Sequence, residues 1–86
     1  MNTVKIGKIY KLEHISSELY LFDSPSWTNC GIIEKYILTN KTLFQITKFI
    51  SGKYNQSSIQ ILTTEGIVGW LLLFSDNLNE LELVEE

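Results

Sequence analysis

Short apolar segments separated by turn-forming residues run along the whole chain. Within several segments apolar and polar residues alternate, which is typical of a β-strand with one buried face. The turn residues recur at roughly the 8–12-residue spacing of a sandwich or barrel. The pattern predicts seven strands, over residues 4–15, 18–23, 31–38, 43–50, 59–63, 67–73 and 80–84.

Alternation along the fourth segment predicts Phe44, Ile46 and Lys48 on one face of the strand and Phe49 on the other. The connection that follows it, Ser51–Ser57, is the most polar in the chain. It predicts a loop, because such a segment has little apolar surface to bury.

Proline and glycine mark the predicted turns. Pro25, the only proline, has no amide hydrogen and belongs in the turn after the second segment. The linker Thr64–Gly66 joins two apolar runs and predicts a tight hairpin. Gly7 lies inside the first segment, where glycine often marks a bulge.

The carboxyl-terminal segment fits two structures. Leu78, Leu81 and Val84 have helical spacing, whereas the last few positions alternate as a strand would. We expect a single helical turn over residues 75–78 and a closing strand over residues 80–84. A terminal amphipathic helix is the alternative.

The composition also favours strands in one domain. The chain of 86 residues has no Ala, the strongest helix former, and is rich in β-branched and aromatic residues. Its length leaves room for one domain, residues 1–86, and its hydrophobic content of 44% is that of a folded protein. The absence of Ala and Arg together with abundant Ile suggests an AT-rich genome, such as that of a small bacterium, an organelle or a phage.

The sequence contains few residues suited to catalysis or metal binding. Nucleophilic catalysis would need Cys30 or a serine beside a base, and His14 is the only imidazole. A Cys30–His14 dyad would require two distant segments to meet, and a lone cysteine is most often a small buried hydrophobe. The scattered carboxylates lack the close spacing of zinc or calcium ligands. We therefore expect no enzymatic activity, no metal and no cofactor.

Charge and hydropathy bear on partners and location. A net charge of −3 without any Arg argues against a nucleic-acid partner. Residues 1–9 lack the apolar core of a signal peptide, and the run Trp70–Phe74 is too short to cross a bilayer. We expect a cytoplasmic protein that is not bound to a membrane.

Two motifs resemble those of bacterial Src-homology-3-like domains. The first is Leu19–Ser26, a strand that ends in a Ser-Pro-Ser turn. The second is Glu65–Trp70, which fits the family's Asp-Gly-x-x-Gly-Trp hairpin with Glu in place of Asp. The resemblance implies an all-β fold, a small barrel of about five to seven antiparallel strands with one short helical turn, in which Trp70 packs against the core.

Aromatic residues in predicted loops are the best candidates for a binding surface. Trp27 and Tyr54 lie in such loops, and exposed aromatic side chains are enriched at contact sites. In the barrel that the resemblance implies, the two loops lie on the same side of the sheet. We expect Trp27 and Tyr54 to flank a groove that Tyr20 helps to line. The alternative is that Trp27 folds back as a lid over the end of the barrel.

These features predict a non-catalytic protein-interaction or accessory module with a protein or peptide partner. A cell-wall or glycan-binding domain is the alternative, because members of the resembled family often bind cell-wall peptides. Polyproline recognition is disfavoured, since the chain lacks the Trp pair and the second Pro that the polyproline-binding relatives use.

Overall fold

The computed structural model describes residues 4–12, 19–29, 31–39, 41–52, 54–74, 78 and 81–84, with side chains except at 34–36. Its strands are β1 (Ile9–Leu12), β2 (Leu19–Phe22), β3 (Ile32–Leu38), β4 (Phe44–Ser51), β5 (Gln56–Thr63), β6 (Val68–Phe74) and β7 (Leu81–Leu83). The predicted all-β class and closing strand are confirmed. Within these ranges Leu78 has a 3₁₀-helical conformation, and the rest of the predicted helical turn lies outside them. No helix in this part of the chain could span a bilayer.

All seven strands belong to one antiparallel sheet with the order β3-β2-β6-β5-β4-β1-β7. Strands β3 and β7 are its edges, and across the described ranges no backbone pairing joins them. The sheet is therefore open. The antiparallel part of the predicted architecture is confirmed, whereas closure into a barrel is not observed.

The core lies on one face of the sheet, which we call the inner face. Its side chains form one cluster that includes Leu12, Leu21 and Leu38, each with no exposed surface. The described residues provide no second layer against this face, so the sheet must curl around its own core. The other members are Tyr10, Phe44, Ile46, Ile59, Ile61, Leu71, Leu73 and Leu78.

A β-bulge at Thr47 interrupts β4. The register with β5 shifts by one residue between Ile46 and Lys48, and the Thr47 hydroxyl donates to the Gln60 carbonyl oxygen at 3.1 Å. A single extra residue reverses the faces of all later side chains in a strand. The predicted alternation is therefore wrong beyond the bulge, because Lys48 and Phe49 exchange faces.

The β4–β5 connection is shorter than the predicted loop. Ser51 pairs with Ser57, and the Gly52 amide donates to the Gln56 carbonyl at 2.7 Å. Strand β4 therefore extends to Ser51 and β5 starts at Gln56, with Tyr54 and Asn55 in a turn conformation between them. Ser57 continues the strand because it faces the core, where 1% of its surface is exposed.

The predicted tight hairpin between β5 and β6 is confirmed. The Gly66 amide donates to the Thr63 carbonyl at 3.0 Å, and the Thr63 amide donates to Ile67 at 2.9 Å. Gly66 has a φ of 87°, which side-chain-bearing residues rarely adopt. Gly69 allows close packing, since a Cβ there would lie 3.0 Å from the Cβ of Leu21.

Candidate functional site

A second group of large apolar side chains lies on the outer face, opposite the core. Because Leu71 and Leu73 belong to the core cluster, the alternation of β6 turns Trp70, Leu72 and Phe74 outward. Trp70 is only 9% exposed, as expected of a core residue. It is nevertheless buried on the other side of the sheet from the core, contrary to the expected packing.

Trp70 lies in a row of paired residues that crosses five strands. Its neighbours are Phe22 on β2 and Gln60 on β5, and the row continues to Ile32 on β3 and Lys48 on β4. Paired residues of antiparallel strands share a face. The apolar part of the outer face therefore covers β3, β2 and β6 and becomes polar towards β4.

The connection between β2 and β3 crosses this outer face. We call its residues 23–29 the strap. The Ser58 hydroxyl on β5 donates to the Pro25 carbonyl at 2.7 Å. The Trp27 ring lies with its centroid 5.1 Å from that of Phe74, at an interplanar angle of 49°. The strap thus covers the outer side of β5 and β6, and Trp27 packs against the sheet.

The strap carries one buried polar group without a partner. Among the described residues, no acceptor bonds the Nε1–H of Trp27, although that nitrogen is inaccessible to solvent. A buried donor left unsatisfied costs roughly 1–3 kcal/mol. The packing of the Trp27 ring on Phe74 is therefore opposed by the loss of a hydrogen bond to water.

Tyr20 lines a cleft where two strands separate. Strands β2 and β6 share one residue pair, Phe22 with Trp70. Beyond that pair lies a cleft of about 220 Å³, lined by apolar side chains and by Tyr20, which is 47% exposed. Ile37, the partner of Tyr20 on β3, is 39% exposed beside it. The lining comprises Leu19, Tyr20, Phe22, Leu71, Leu72 and Leu73.

Tyr54 projects from the turn between β4 and β5. Its side chain is 87% exposed, and both Tyr54 and Asn55 adopt left-handed backbone conformations, with φ values of 55° and 63°. Phe74 pairs with Gln56, two residues beyond Tyr54. Tyr54 therefore lies at the same end of the sheet as Trp27 and Phe74. Because its side chain is so exposed, it does not pack on either of these rings.

The three predicted site residues thus lie in one region of the structure, but each has different neighbours. Trp27 packs on Phe74, Tyr20 borders the cleft, and Tyr54 extends into solvent. Sequence reasoning overlooked Phe74 and Ser58, which hold the strap. Alternation from Trp70 could have placed Phe74 on the outer face, whereas no sequence signal marks Ser58 as a strap contact.

The candidate metal-binding and catalytic residues were sought among the residues that the structure describes. The described ranges contain no group of three or more His, Cys, Asp or Glu residues that could hold a metal ion. His14 and Cys30, the residues of the candidate dyad, lie outside those ranges. An ion pair joins Lys11 and Glu82 at 3.2 Å on the surface of β1 and β7.

Comparison with known proteins identifies no relative. No family model, curated protein or solved structure matches the chain. The likeness to Src-homology-3-like domains therefore depends on short motifs, of which Glu65–Trp70 forms the β5–β6 turn and the start of β6.

Proposed function

We propose that this chain is a non-catalytic protein-interaction module whose outer face, around Tyr20, contacts a protein or peptide. The observation that supports this most strongly is the grouping of exposed apolar side chains beside the cleft. Tyr20 and Ile37 are 47% and 39% exposed, and Ile32 on the same edge is 54% exposed. Contiguous apolar surface rimmed by polar residues is typical of protein contact sites.

The size of the cleft favours a protein side chain over a small molecule. Its volume of about 220 Å³ is below the roughly 300–1,000 Å³ of ordinary ligand pockets. Protein interfaces commonly place one large apolar side chain in a small desolvated pocket. We therefore expect an aromatic or aliphatic side chain of the partner to enter between β2 and β6.

Tyr54 supports the same proposal independently. A left-handed conformation costs a residue with a side chain roughly 1–2 kcal/mol, and Tyr54 gains no burial in return, since 87% of its surface is exposed. Strained backbone is concentrated at binding and switching sites. We infer that the Tyr54 ring takes part in binding, which would offset the cost of its backbone conformation.

The finer architecture and the location of the protein are also proposals. A curled antiparallel sheet with Gly66, Gly69 and Trp70 in one hairpin supports a Src-homology-3-like fold. The shortness of the longest apolar run, Trp70–Phe74, supports a cytoplasmic location, and the composition supports a bacterial or phage origin.

Affinity capture with matched variants tests the proposed function. Tyr20→Ala and Tyr54→Ala should each retain the fold and lose the protein that the wild type captures. Val84→Ala is the control, because Val84 is 45% exposed and lies beside β7 at the opposite edge of the sheet. Capture that is equal for all three variants and the wild type would overturn the proposal.

Binding to a cell wall or glycan is the second candidate. The exposed rings of Tyr20 and Tyr54 favour it, since aromatic side chains offer large amphipathic surfaces. Co-sedimentation with purified cell walls separates the two functions. If the wild type sediments with walls and Tyr20→Ala does not, the glycan function replaces the protein-interaction function.

A further inference from the structure

We propose that the strap, residues 23–29, is a hinged cover that opens from the outer face as a unit while the sheet remains folded. In the closed state it lies over the β5–β6 part of that face, beside the cleft. In the open state it would expose Trp70 and Leu72. Three features of the strap support this movement.

The first feature is a closed base from which the strap extends. The Asp23 amide donates to the Gly31 carbonyl at 2.8 Å, and the Gly31 amide donates to Oδ1 of Asp23 at 2.8 Å. These reciprocal bonds join the end of β2 to the start of β3. They can persist when the strap leaves the sheet, so the base can act as a hinge.

The second feature is the internal bonding of the strap. The Ser24 hydroxyl accepts from the Ser26 amide at 3.2 Å. The Ser26 hydroxyl accepts from the amides of Thr28 and Asn29 at 3.3 and 3.1 Å. None of these bonds involves the sheet. The strap therefore keeps its shape without the sheet, and its opening does not require it to unfold.

The third feature is the weak attachment of the strap to the sheet, which is opposed by the cost of burying an unbonded donor. The strap is held to the sheet by the Ser58–Pro25 hydrogen bond and by the ring contact of Trp27 with Phe74. Phe74 stays 51% exposed in the closed state, so the Trp27 ring covers only part of it. The buried Nε1–H of Trp27 recovers a hydrogen bond to water on opening.

Opening of the strap would extend the site of the proposed function from the cleft to Trp70 and Leu72, and this consequence rests on that function. A partner that contacts Trp70 and Leu72 binds only the open state. Its apparent affinity is reduced by the fraction of molecules that are open. The closed strap is then an autoinhibitory contact.

Hydrogen exchange of the Trp27 indole Nε1–H, followed by nuclear magnetic resonance, tests the movement without any partner. Trp27→Phe assigns the signal. In the wild type this proton should exchange faster than the amides of Ile59 and Leu71 in the central strands. Ser58→Ala should increase its rate by about two- to twelvefold, as expected for the loss of one hydrogen bond, and leave those amides unchanged.

Ser57→Ala is the matched control, because it makes the same change one residue away, on the inner face. It should not alter the exchange of the Trp27 indole relative to the central amides. Phe74→Ala removes the ring contact at a half-exposed position and should accelerate the same proton as Ser58→Ala does. The proposal is overturned if the indole exchanges in step with the central amides, or if Ser58→Ala and Ser57→Ala have equal effects. The partner-capture assay is unaffected by that outcome.

Discussion

Replacement of Gly69 by Ala should destabilise the fold through steric contacts, of which the shortest can be removed separately. A Cβ at Gly69 would lie 2.8 Å from Cδ1 of Ile33 and 3.0 Å from Cβ of Leu21. Favourable carbon contacts lie at about 3.5–4.0 Å, so both neighbours must move by roughly 0.5–1 Å. Leu21 is fixed close to its backbone, whereas Cδ1 is the far end of the Ile33 side chain.

Two opposing effects set the size of the change. Overpacking of a filled core costs about 1–3 kcal/mol. Replacing glycine where the backbone suits alanine returns about 0.4–1 kcal/mol by restricting the unfolded chain. We expect a net loss of about 1–2 kcal/mol in the free energy of unfolding. That loss would lower the melting temperature by roughly 4–16 °C for a domain of this length.

A double-mutant cycle measured by urea unfolding identifies the cause. Ile33→Val removes Cδ1 and should alone cost about 0.5–1.5 kcal/mol. In the Gly69→Ala background it should cost clearly less, or even stabilise, because it relieves the contact. Gly66→Ala is the control: its φ of 87° is unfavourable for alanine, but no atom lies within 4 Å of the added Cβ. Its effect should add to that of Ile33→Val. Additive effects of Gly69→Ala and Ile33→Val would refute the steric explanation.

Two further substitutions test other features of the fold. Tyr54→Gly should raise the free energy of unfolding by up to about 1 kcal/mol in a urea titration, because glycine adopts the left-handed conformation without strain; a loss of stability would show that the exposed ring makes a stabilising contact. Trp70→Ala should cost about 3–5 kcal/mol in thermal or urea unfolding, as large aromatic truncations do, although Trp70 is on the outer face. Melting like that of the wild type would show that the strap and its neighbours close over the vacated space.

The strands could be predicted because their signals are local. Turn residues and apolar runs lie next to each other in sequence, and the Thr64–Gly66 linker carries its own conformational requirement. The order of the strands and the open edges depend on pairing between distant segments. No local pattern in this sequence contains that information.

The face on which each side chain lies was harder to predict than the positions of the strands. The bulge at Thr47 reverses the second half of β4, and its stabilising hydroxyl bond goes to Gln60, thirteen residues away. The resemblance predicts Trp70 against the core, but pairing with Phe22 and Gln60 places it on the outer face, where it is 9% exposed. The polar sequence around Ser57 also conceals that β5 begins at Gln56.

Among the described residues the sheet has two edge strands, β3 and β7, and an edge strand can recruit strands from other molecules and cause aggregation. Both edges have features that oppose this. Strand β7 has only three residues, with Glu82 at its centre. On β3, the partners of Tyr20 and Phe22 are Ile37 and Ile32. These partners are five residues apart, whereas Tyr20 and Phe22 are two residues apart, so the pairing along this edge is irregular. An edge distorted in this way offers an incoming strand no regular ladder, which opposes the growth of a fibre along it.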